Sequence, residues 1–295
     1  MSGSDPETPA GVEVHHDISY LGPDRLEKMD AYLPSRAYAT PHPAVLLIHG
    51  GGWRLGDKAN VRERNIGHTL AERGFAVFSI NYLLNEGSRD ASGKIQTTKV
   101  AWPQNLFDCK SALRFLRHQA REFRVDPKRI AVMGGSAGGH FAMLLGATAN
   151  LDALNIGGLY TEQSNEVSAV INFYGVPDLQ ERHLHVVTGA TEEETRENAR
   201  LASPVTWFHP EMPPMLIAHG TADAMIPVRV SRKLTQILET IGARYWYVEI
   251  SGAPHTFHLE PEEMDLRPVV LSFLERHLGV RTGTESKVAI QSDRK

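Results

Sequence analysis

The chain has 295 residues, 41% hydrophobic and 22% charged, and a formal net charge of −4 at pH 7. These values are ordinary for a globular protein, and the slight acidity gives no reason to expect nucleic acid as a partner. Cys109 is its single cysteine, which excludes an intramolecular disulfide. It falls on an apolar helical stripe, which favours a buried, inert thiol over a nucleophile.

Membrane-spanning and secretory features are both missing from the sequence. No stretch approaches the roughly 18 consecutive apolar residues that a spanning helix needs. Residues 1–11, MSGSDPETPAG, lack the charged and apolar regions of a secretory signal and are expected to be flexible. We therefore expect a soluble protein without a membrane partner. The sequence leaves open whether it is cytoplasmic or secreted after removal of a signal, and what its oligomeric state is.

Strand and helix patterns alternate through residues 12–280 without a linker, which favours one α/β domain. Two strands, 12–20 and 26–33, flank a Gly-Pro-Asp turn and predict an antiparallel hairpin at the edge of the sheet. In chain order, the further predicted elements are strand 44–48, helix 60–73, strand 75–82, a helix from Pro103 to about 123, strand 130–133, a helix after residue 136, strand 167–174, strand 215–219, a helix from Pro227, strand 245–250 and helix 261–278.

Two segments interrupt this alternation and are expected to border a substrate site. Residues 83–102 contain glycines and serines without a clear period and predict a long loop. Residues 179–204 form an insertion, in which Thr191 and Glu194 fit a capping box at the start of a short helix. The polar tail 281–295 is expected to be disordered.

A turn of small residues follows the predicted strand 130–133. Its sequence, Gly-Gly-Ser-Ala-Gly at 134–138, matches the G-x-S-x-G nucleophile elbow, which holds its serine on a strained strand-to-helix corner. Small flanking residues are needed because strand and helix nearly touch there. A glycine-rich turn that merely contains a serine is the competing interpretation. The motif predicts Ser136 as a nucleophile.

A second glycine-rich turn, HGGGW at 49–53, follows the apolar run 44–48. Consecutive glycines leave backbone N–H groups unshielded, so these can stabilise an oxygen that becomes negative in a tetrahedral transition state. Turns of this HGGG type accompany the nucleophile elbow in lipases and esterases. Two independent motifs in this order weaken the interpretation of the first one as a plain turn.

A serine nucleophile needs a base, and the base needs a third group that orients it. In doubly wound sheets, such groups gather beyond the carboxyl ends of the strands. Asp223 and His255 each follow a predicted strand, and the order Ser136, Asp223, His255 is the one expected for this class. Asp178, just past an earlier strand, is the alternative acid. His258 is the alternative base.

The remaining histidines are interpreted as structural or as surface residues. His140 and His219 are expected to have structural roles. His183-Leu184-His185 and the stretch 255–258 lack an H-E-x-x-H pattern or a cysteine cluster, so we expect no metal site. No cofactor is implied.

These motifs resemble the α/β-hydrolase superfamily, specifically HGGGW carboxylesterases related to bacterial feruloyl and acetyl xylan esterases. The resemblance covers roughly residues 33–278 and rests on HGGGWRLGDK at 49–58, SINYLL at 79–84, VDPKRIAVMGGSAGGH at 125–140 and HGTADAMIPV at 219–228. The chain is also similar to the hormone-sensitive lipase group. That group usually has aspartate where this chain has Gly135, and a helical N-terminal cap where residues 1–43 indicate strands and loops.

The resemblance implies an α/β-hydrolase fold with a mostly parallel central sheet, an antiparallel N-terminal edge hairpin and helices on both faces. It implies Ser136 as nucleophile, His255 as base, Asp223 as the acid that orients it, backbone N–H groups of Gly51, Gly52 and Ala137 as oxyanion hole, and Trp53 as a further N–H donor or a wall of the acyl pocket. The missing cap predicts a short, open pocket.

Three function classes follow. The leading hypothesis is a serine carboxylesterase for short-chain or aromatic acyl esters, free or linked to plant polysaccharides. An amide hydrolase of the arylformamidase or peptidase kind is the alternative, because the same triad cleaves amides. A hydrolase-like binding protein without catalysis is the third, although such proteins usually lose a triad member. The sequence does not identify the natural acyl and alcohol groups.

Overall fold

The computed structural model describes residues 8–89, 95–180 and 184–280. The strands are β1 (Glu13–Ile18), β2 (Met29–Leu33), β3 (His42–Ile48), β4 (Ala76–Ile80), β5 (Glu86–Arg89), β6 (Ile95–Lys99), β7 (Val125–Gly135), β8 (Ala169–Phe173), β9 (Met215–Gly220) and β10 (Tyr245–Ile250). The helices are α1 (Val61–Ala71), α2 (Gln104–His118), α3 (Ala137–Ala147), α4 (Glu192–Ala202), α5 (Arg229–Ile241) and α6 (Arg267–Leu278).

Within these residues, eight strands form one sheet in the order β1-β2-β4-β3-β7-β8-β9-β10. The six strands from β4 to β10 in this order are parallel to one another, whereas β2 is antiparallel to both β1 and β4. The predicted antiparallel N-terminal edge and parallel centre are therefore confirmed. In the register, Gly134 lies opposite Ile48 on one side and Asn172 on the other, so the carboxyl ends of neighbouring strands meet at one edge.

Helices cover both faces of the sheet, as predicted. Leu46 and Val132 point into a core shared with α2, α3 and α5, whereas Leu47 and Met133 point into a core shared with α1 and α6. Successive side chains of a strand alternate between the two faces, so a parallel strand covered on both sides is apolar throughout. This explains why the central strands are continuous apolar runs.

Residues 83–102 do not form the single loop expected from the sequence. They contain the antiparallel pair β5–β6, with residues 90–94 outside the described part. The strand sequences, EGSR and IQTTK, lack the apolar alternation that indicates a strand. Buried Asn85 fastens the base of the hairpin, because its side chain accepts from Ala101 N at 2.6 Å and donates to Val186 O at 3.1 Å.

Other element boundaries differ from the sequence predictions. Helix α2 ends five residues early, and α6 begins at Arg267 rather than at residue 261, with a proline in its first turn. Strand β7 begins at Val125 because this residue pairs with His42 on β3. Helix α4 has the predicted cap, in which Thr191 Oγ1 accepts from Glu194 N at 3.1 Å. The Glu194 carboxylate accepts from Ala190 N instead of the Thr191 N of a standard capping box.

The expected flexible N-terminus and disordered tail fall mostly on residues 1–7 and 281–295, outside the described residues. In the part of the chain that the structure describes, no helix combines the length and the apolar character that crossing a membrane requires.

Candidate active site

Ser136 occupies the corner between β7 and α3. Its φ of 56° and ψ of −120° lie outside the regions that non-glycine residues normally adopt, and its N–H is fixed by Phe173 O at 2.9 Å. A Cβ on Gly134 would lie 2.3 Å from Gly138 C, and one on Gly138 would lie 2.0 Å from Ile48 O. The glycines of the motif are therefore required by the close approach of strand, helix and β3.

The structure brings together the three side chains predicted for a catalytic triad. His255 Nε2 lies 3.0 Å from Ser136 Oγ, and His255 Nδ1 lies 2.7 Å from Asp223 Oδ2. The Asp223 side chain is fully buried and that of His255 is 11% exposed. Because the carboxylate can only accept, Nδ1 carries the proton and Nε2 is free to accept from the serine hydroxyl.

Asp223 is held by further donors besides His255. Its Oδ1 accepts from Met225 N at 2.9 Å and Ile226 N at 2.8 Å. His219 Nε2 lies 3.1 Å from Asp223 Oδ2 and 2.8 Å from Ile226 O. Since a carbonyl only accepts, this nitrogen carries a proton and donates. Asp223 therefore has donors at both oxygens and is fixed independently of His255.

His219 was predicted to be structural, and in the structure it also holds the carboxylate of Asp223 in position. Its Nδ1 lies 2.7 Å from Ser231 Oγ on α5, while its Nε2 donates toward Asp223. Burial lowers the pKa of His219. The neutral ring thus links the acid of the triad to a helix. The only hint in the sequence is its place four residues before Asp223.

The alternative acid and base have other partners in the structure. Asp178 Oδ1 accepts from Gln180 N at 2.9 Å and from Ser203 Oγ at 3.2 Å. His258 Nδ1 accepts from Glu260 N at 2.9 Å, a contact within its own turn. The geometry thus favours Asp223 and His255 over both alternatives.

The predicted oxyanion-hole residues lie beside Ser136. A Cβ on Gly50 would lie 3.3 Å from Ser136 Cβ, so the glycine turn passes directly over the serine. Gly51 has a φ of 111°, and a Cβ there would lie 2.0 Å from Leu55 O. Within the described part of the chain, no oxygen accepts from the N–H of Gly51, Gly52 or Ala137. These donors are available to a substrate oxygen.

Trp53 anchors the glycine turn rather than only lining the pocket. It is 5% exposed and its φ is 59°. Its Nε1 donates to His140 Nδ1 at 3.1 Å, and His140 Nε2 is 2.7 Å from Ala202 O. These contacts give His140 the structural role that the sequence predicts. Together these bonds fasten the glycine turn to α3 and to the end of α4.

A cavity of about 660 Å³ opens above Ser136 and His255. Of the two segments expected to border it, the insertion contributes His185, whereas no described residue of 83–102 lines it. Leu55 and Met225 stand at its mouth and are 72% and 75% exposed. Exposed apolar side chains at the rim of a polar cluster favour an organic ligand with apolar parts.

Arg62, whose side chain is 11% exposed, is a residue of this cavity that sequence analysis missed. Its Nε donates to Phe257 O at 2.9 Å and its Nη1 pairs with buried Glu63. Burial opposes its charge, but Tyr174 and Glu63 raise its pKa above the ordinary value. A Cβ on Gly135 would lie 2.7 Å from Arg62 Nη2. Glycine at this position leaves the space that Arg62 fills.

Metal-ligand geometry is not found among the described residues, where no group of three histidine, cysteine or acidic side chains could hold a metal ion. Of the His183-Leu184-His185 stretch, His183 lies outside the described residues.

Curated relatives include the esterase LipC of Mycobacterium tuberculosis, 30% identical over 258 residues, which are 83% of this chain and 60% of LipC. The isoprenylcysteine alpha-carbonyl methylesterase ICME of Arabidopsis thaliana is 28% identical over 83% of this chain and 57% of its own. This chain therefore spans somewhat more than half the length of these relatives.

Solved structures match over nearly the whole chain. The native esterase Est2 of Thermogutta terrifontis has a TM-score of 0.72 and 28% identity, covering 96% of this chain and 97% of its own. Its butyrate-bound form has a TM-score of 0.70 and 28% identity, covering 92% and 95%. A truncated carbohydrate esterase from gut microbiota has a TM-score of 0.76 at 24% identity, covering 93% and 99%, and supports the fold. Because the BD-FAE family model matches residues 29–238, more than two thirds of its length, this chain of α/β-hydrolase fold belongs to the BD-FAE family.

Proposed function

We propose that this protein is a serine carboxylesterase that hydrolyses short-chain acyl esters through an acyl-enzyme. The observation that carries the proposal is the hydrogen-bonded chain from Ser136 through His255 to Asp223, beneath a glycine turn with free N–H groups. Membership of the BD-FAE family and similarity to esterases support the same activity.

In the acylation step, Ser136 Oγ attacks the ester carbonyl carbon while His255 Nε2 takes its proton. Asp223 stabilises the imidazolium that forms, because its carboxylate already accepts from Nδ1 at 2.7 Å. The carbonyl oxygen becomes negative and is bound by the N–H groups of Gly51, Gly52 and Ala137. As the tetrahedral intermediate collapses, His255 gives the proton to the leaving alcohol oxygen.

Deacylation repeats these steps with water as the nucleophile. His255 Nε2 takes a proton from the water, the oxygen attacks the acyl carbon, and the acid leaves as the proton returns to Ser136 Oγ. The strained corner at Ser136 and the hydrogen bond from Trp53 to His140 keep the serine and the glycine turn in place during both acylation and deacylation. Such preorganisation makes electrostatic stabilisation effective.

Short acyl groups fit the open cavity of about 660 Å³. Est2 has been solved with butyrate and with propionate bound, which supports the same size range here. The exposed side chains at the mouth of the cavity leave room for alcohol parts as large as sugars. Each further methylene adds about 0.8 kcal/mol of binding only while an apolar wall surrounds it.

The test is a panel of 4-nitrophenyl esters from two to twelve carbons, with N-formylkynurenine and a peptide anilide as amide-type substrates. We expect the highest kcat/KM from acetyl to butyryl, a steep fall by octanoyl and slow amide cleavage. A maximum at eight carbons or beyond contradicts the short pocket. Preferential cleavage of N-formylkynurenine or the anilide favours the amide-hydrolase alternative. If no substrate is turned over, the alternative of a binding protein without catalysis is favoured.

A second measurement identifies the nucleophile. Ser136→Ala is expected to lower kcat about a thousand-fold or more, since the hydroxyl forms the acyl-enzyme. Paraoxon, which phosphorylates Est2, should label the wild-type protein once and the variant not at all. Ser164→Ala, at an exposed serine before β8, is the matched control. Retention of activity by Ser136→Ala overturns the assignment.

A further inference from the structure

A second cleft adjoins the cavity above Ser136. It has a volume of about 510 Å³ and lies between α5 and the segment that follows β8. We call it the α5 cleft and define it by the walls Val176, Pro177 and Val205 on one side and Val230, Leu234 and Ile237 of α5 on the other. None of these side chains has a place in the proposed reaction.

The α5 cleft shares a wall with the candidate active site. Val176, Met225 and Ile226 line both cavities. Met225 is 75% exposed and projects at this boundary rather than closing it. A ligand bound at Ser136 can therefore extend across Met225 into the α5 cleft.

Two cations on α5 border the cleft. Arg229 and Lys233 are exposed, one helical turn apart, and neither forms an ion pair with any described residue. Arg232 on the same helix is instead paired with Glu249 at 2.6 Å and is absent from the cleft walls. Residues at i and i+4 share a helix face, so the two unpaired charges point the same way.

The acidic residue among the described cleft walls is Asp178. Its Oδ1 is occupied by hydrogen bonds from Gln180 N and Ser203 Oγ. The cleft thus has an apolar floor and two positive charges against one hydrogen-bonded carboxylate, in a chain with a net charge of −4. This local excess of positive charge complements an anion.

The geometry of the reaction indicates which part of an ester reaches this cleft. His255 must hand its proton to the leaving oxygen, so the alcohol part lies on the His255 side of Ser136. Met225 and Ile226 lie on that side too, because their N–H groups bind the acid of His255. The shared wall therefore adjoins the alcohol part of the substrate.

We propose that the α5 cleft binds the alcohol part of the substrate when that part is apolar or aromatic and carries an anionic group such as a carboxylate, held by Arg229 and Lys233. The preferred substrates are then acylated hydroxy acids. The proposal rests on the proposed esterase function and adds the class of the leaving group.

The test compares two acetyl esters that differ only in charge, 3-(4-acetoxyphenyl)propanoate and its primary amide. For the wild-type protein in about 20 mM salt, we expect kcat/KM for the acid to exceed that for the amide about five-fold, since two exposed ion pairs each contribute modestly. The ratio should fall toward one in 0.5 M NaCl, where screening shortens the range of exposed charges.

The variant Arg229→Gln/Lys233→Gln should bring the ratio close to one at low salt. The matched control is Lys128→Gln, which removes an exposed lysine near the start of β7 and should keep the wild-type ratio. A second pair, mono-4-nitrophenyl succinate and its amide, carries the charge on the acyl side and should give a ratio near one.

The outcomes are distinguishable. Equal rates on the acid and the amide, or an unchanged ratio in the double variant, overturn the anionic subsite while the esterase activity stands. A preference for the succinate over its amide that exceeds the alcohol-side preference overturns the placement of the alcohol. If the protein hydrolyses neither of the two acetyl esters nor 4-nitrophenyl acetate, the proposed esterase function itself is wrong.

Discussion

Asp223 shows how a buried carboxylate is kept in position for its partner. Its two oxygens accept from Met225 N, Ile226 N, His219 Nε2 and His255 Nδ1. Each donor offsets part of the cost of removing the charge from water, and the two backbone donors fix its orientation. The carboxylate therefore does not have to be pulled into place by His255.

Replacing Asp223 should damage catalysis far more than replacing Asp178. Asp223→Asn presents an amide N–H₂ to one of the surrounding donors and disturbs the protonation of His255, so we expect kcat to fall about 10⁴-fold. Asp178→Asn should leave kcat nearly unchanged, since Asp178 contacts Gln180 and Ser203. Steady-state kinetics on 4-nitrophenyl butyrate provides the measurement. The reverse ranking would transfer the role of the acid to Asp178.

Sequence analysis predicted the positions of Ser136, Asp223 and His255 because each follows a strand and has a recognisable local motif. It could not predict that Arg62 lies largely covered in the wall of the cavity. Arg62 stands in Val-Arg-Glu-Arg at the start of α1, a pattern typical of a solvent-exposed helix end. Its burial depends on the space at Gly135, which is distant in the chain.

A double-mutant cycle can measure the Arg62–Glu63 pair. Arg62→Met leaves Glu63, whose exposure is 2%, without its counter-charge, and leaves Phe257 O with only the longer hydrogen bond from Tyr174 Oη at 3.4 Å. We expect a loss of about 3 kcal/mol in the free energy of unfolding by urea, and recovery of part of it when Glu63→Gln is added. Additive effects of the two changes would show that the pair does not couple.

Among the elements, those with an apolar pattern were predictable and the polar hairpin was not. Strand β10 was predicted at its observed bounds, and β3 and β9 to within two residues. The pair β5–β6 is polar, and its pairing is held by contacts from elsewhere in the chain, chiefly those of Asn85. Local sequence contains no signal for such tertiary support.

The role assigned to Asn85 predicts a local effect of its removal. Asn85→Ala leaves Ala101 N and Val186 O, its partners in the fold, without hydrogen bonds in a buried setting. We expect a loss of about 2 kcal/mol in the free energy of unfolding and faster proteolytic cleavage in the hairpin. Asn150→Ala, at an exposed asparagine, is the control. Equal protease resistance of Asn85→Ala and wild type would contradict the anchoring role.

At the scale of the whole molecule, the topology assembles a site from distant segments. The turns after β3, β7, β9 and β10 supply the glycines, the serine, the acid and the base, respectively. Parallel pairing places these turns at one edge of the sheet, so their approach was predictable from the order of the elements. The shape of the cavity was not, because it depends on side chains such as Arg62, Met225 and His185 from irregular segments.

Buried bases also set the pH dependence of the whole fold. Burial lowers the pKa of His42 from 6.5 to about 4, and lowers those of His49, His68 and His219. As the pH falls below 6.5, the unfolded chain therefore binds protons that the folded protein does not. The free energy of unfolding must decrease over the range from about pH 6.5 down to about 4, which is the lowered pKa of His42.

Lys110 extends this dependence to alkaline pH. Its Nζ donates to Thr148 O, and burial together with Arg114 lowers its pKa from 10.5 to about 7, so stability rises as the pH increases above about 7. Burial also raises the pKa of the Cys109 thiol above its ordinary value of 9.0 and that of Tyr20 above 10.0, which offsets this rise from about pH 9 upward. We expect urea unfolding between pH 5 and 10.5 to show maximal stability on the alkaline side, at about pH 8–10.

Lys110→Met should flatten the rise in the free energy of unfolding above pH 7, by up to about 1.4 kcal/mol per pH unit, without changing the loss below pH 6.5. A maximum at pH 6 or below would mean that these groups remain protonated in the folded protein.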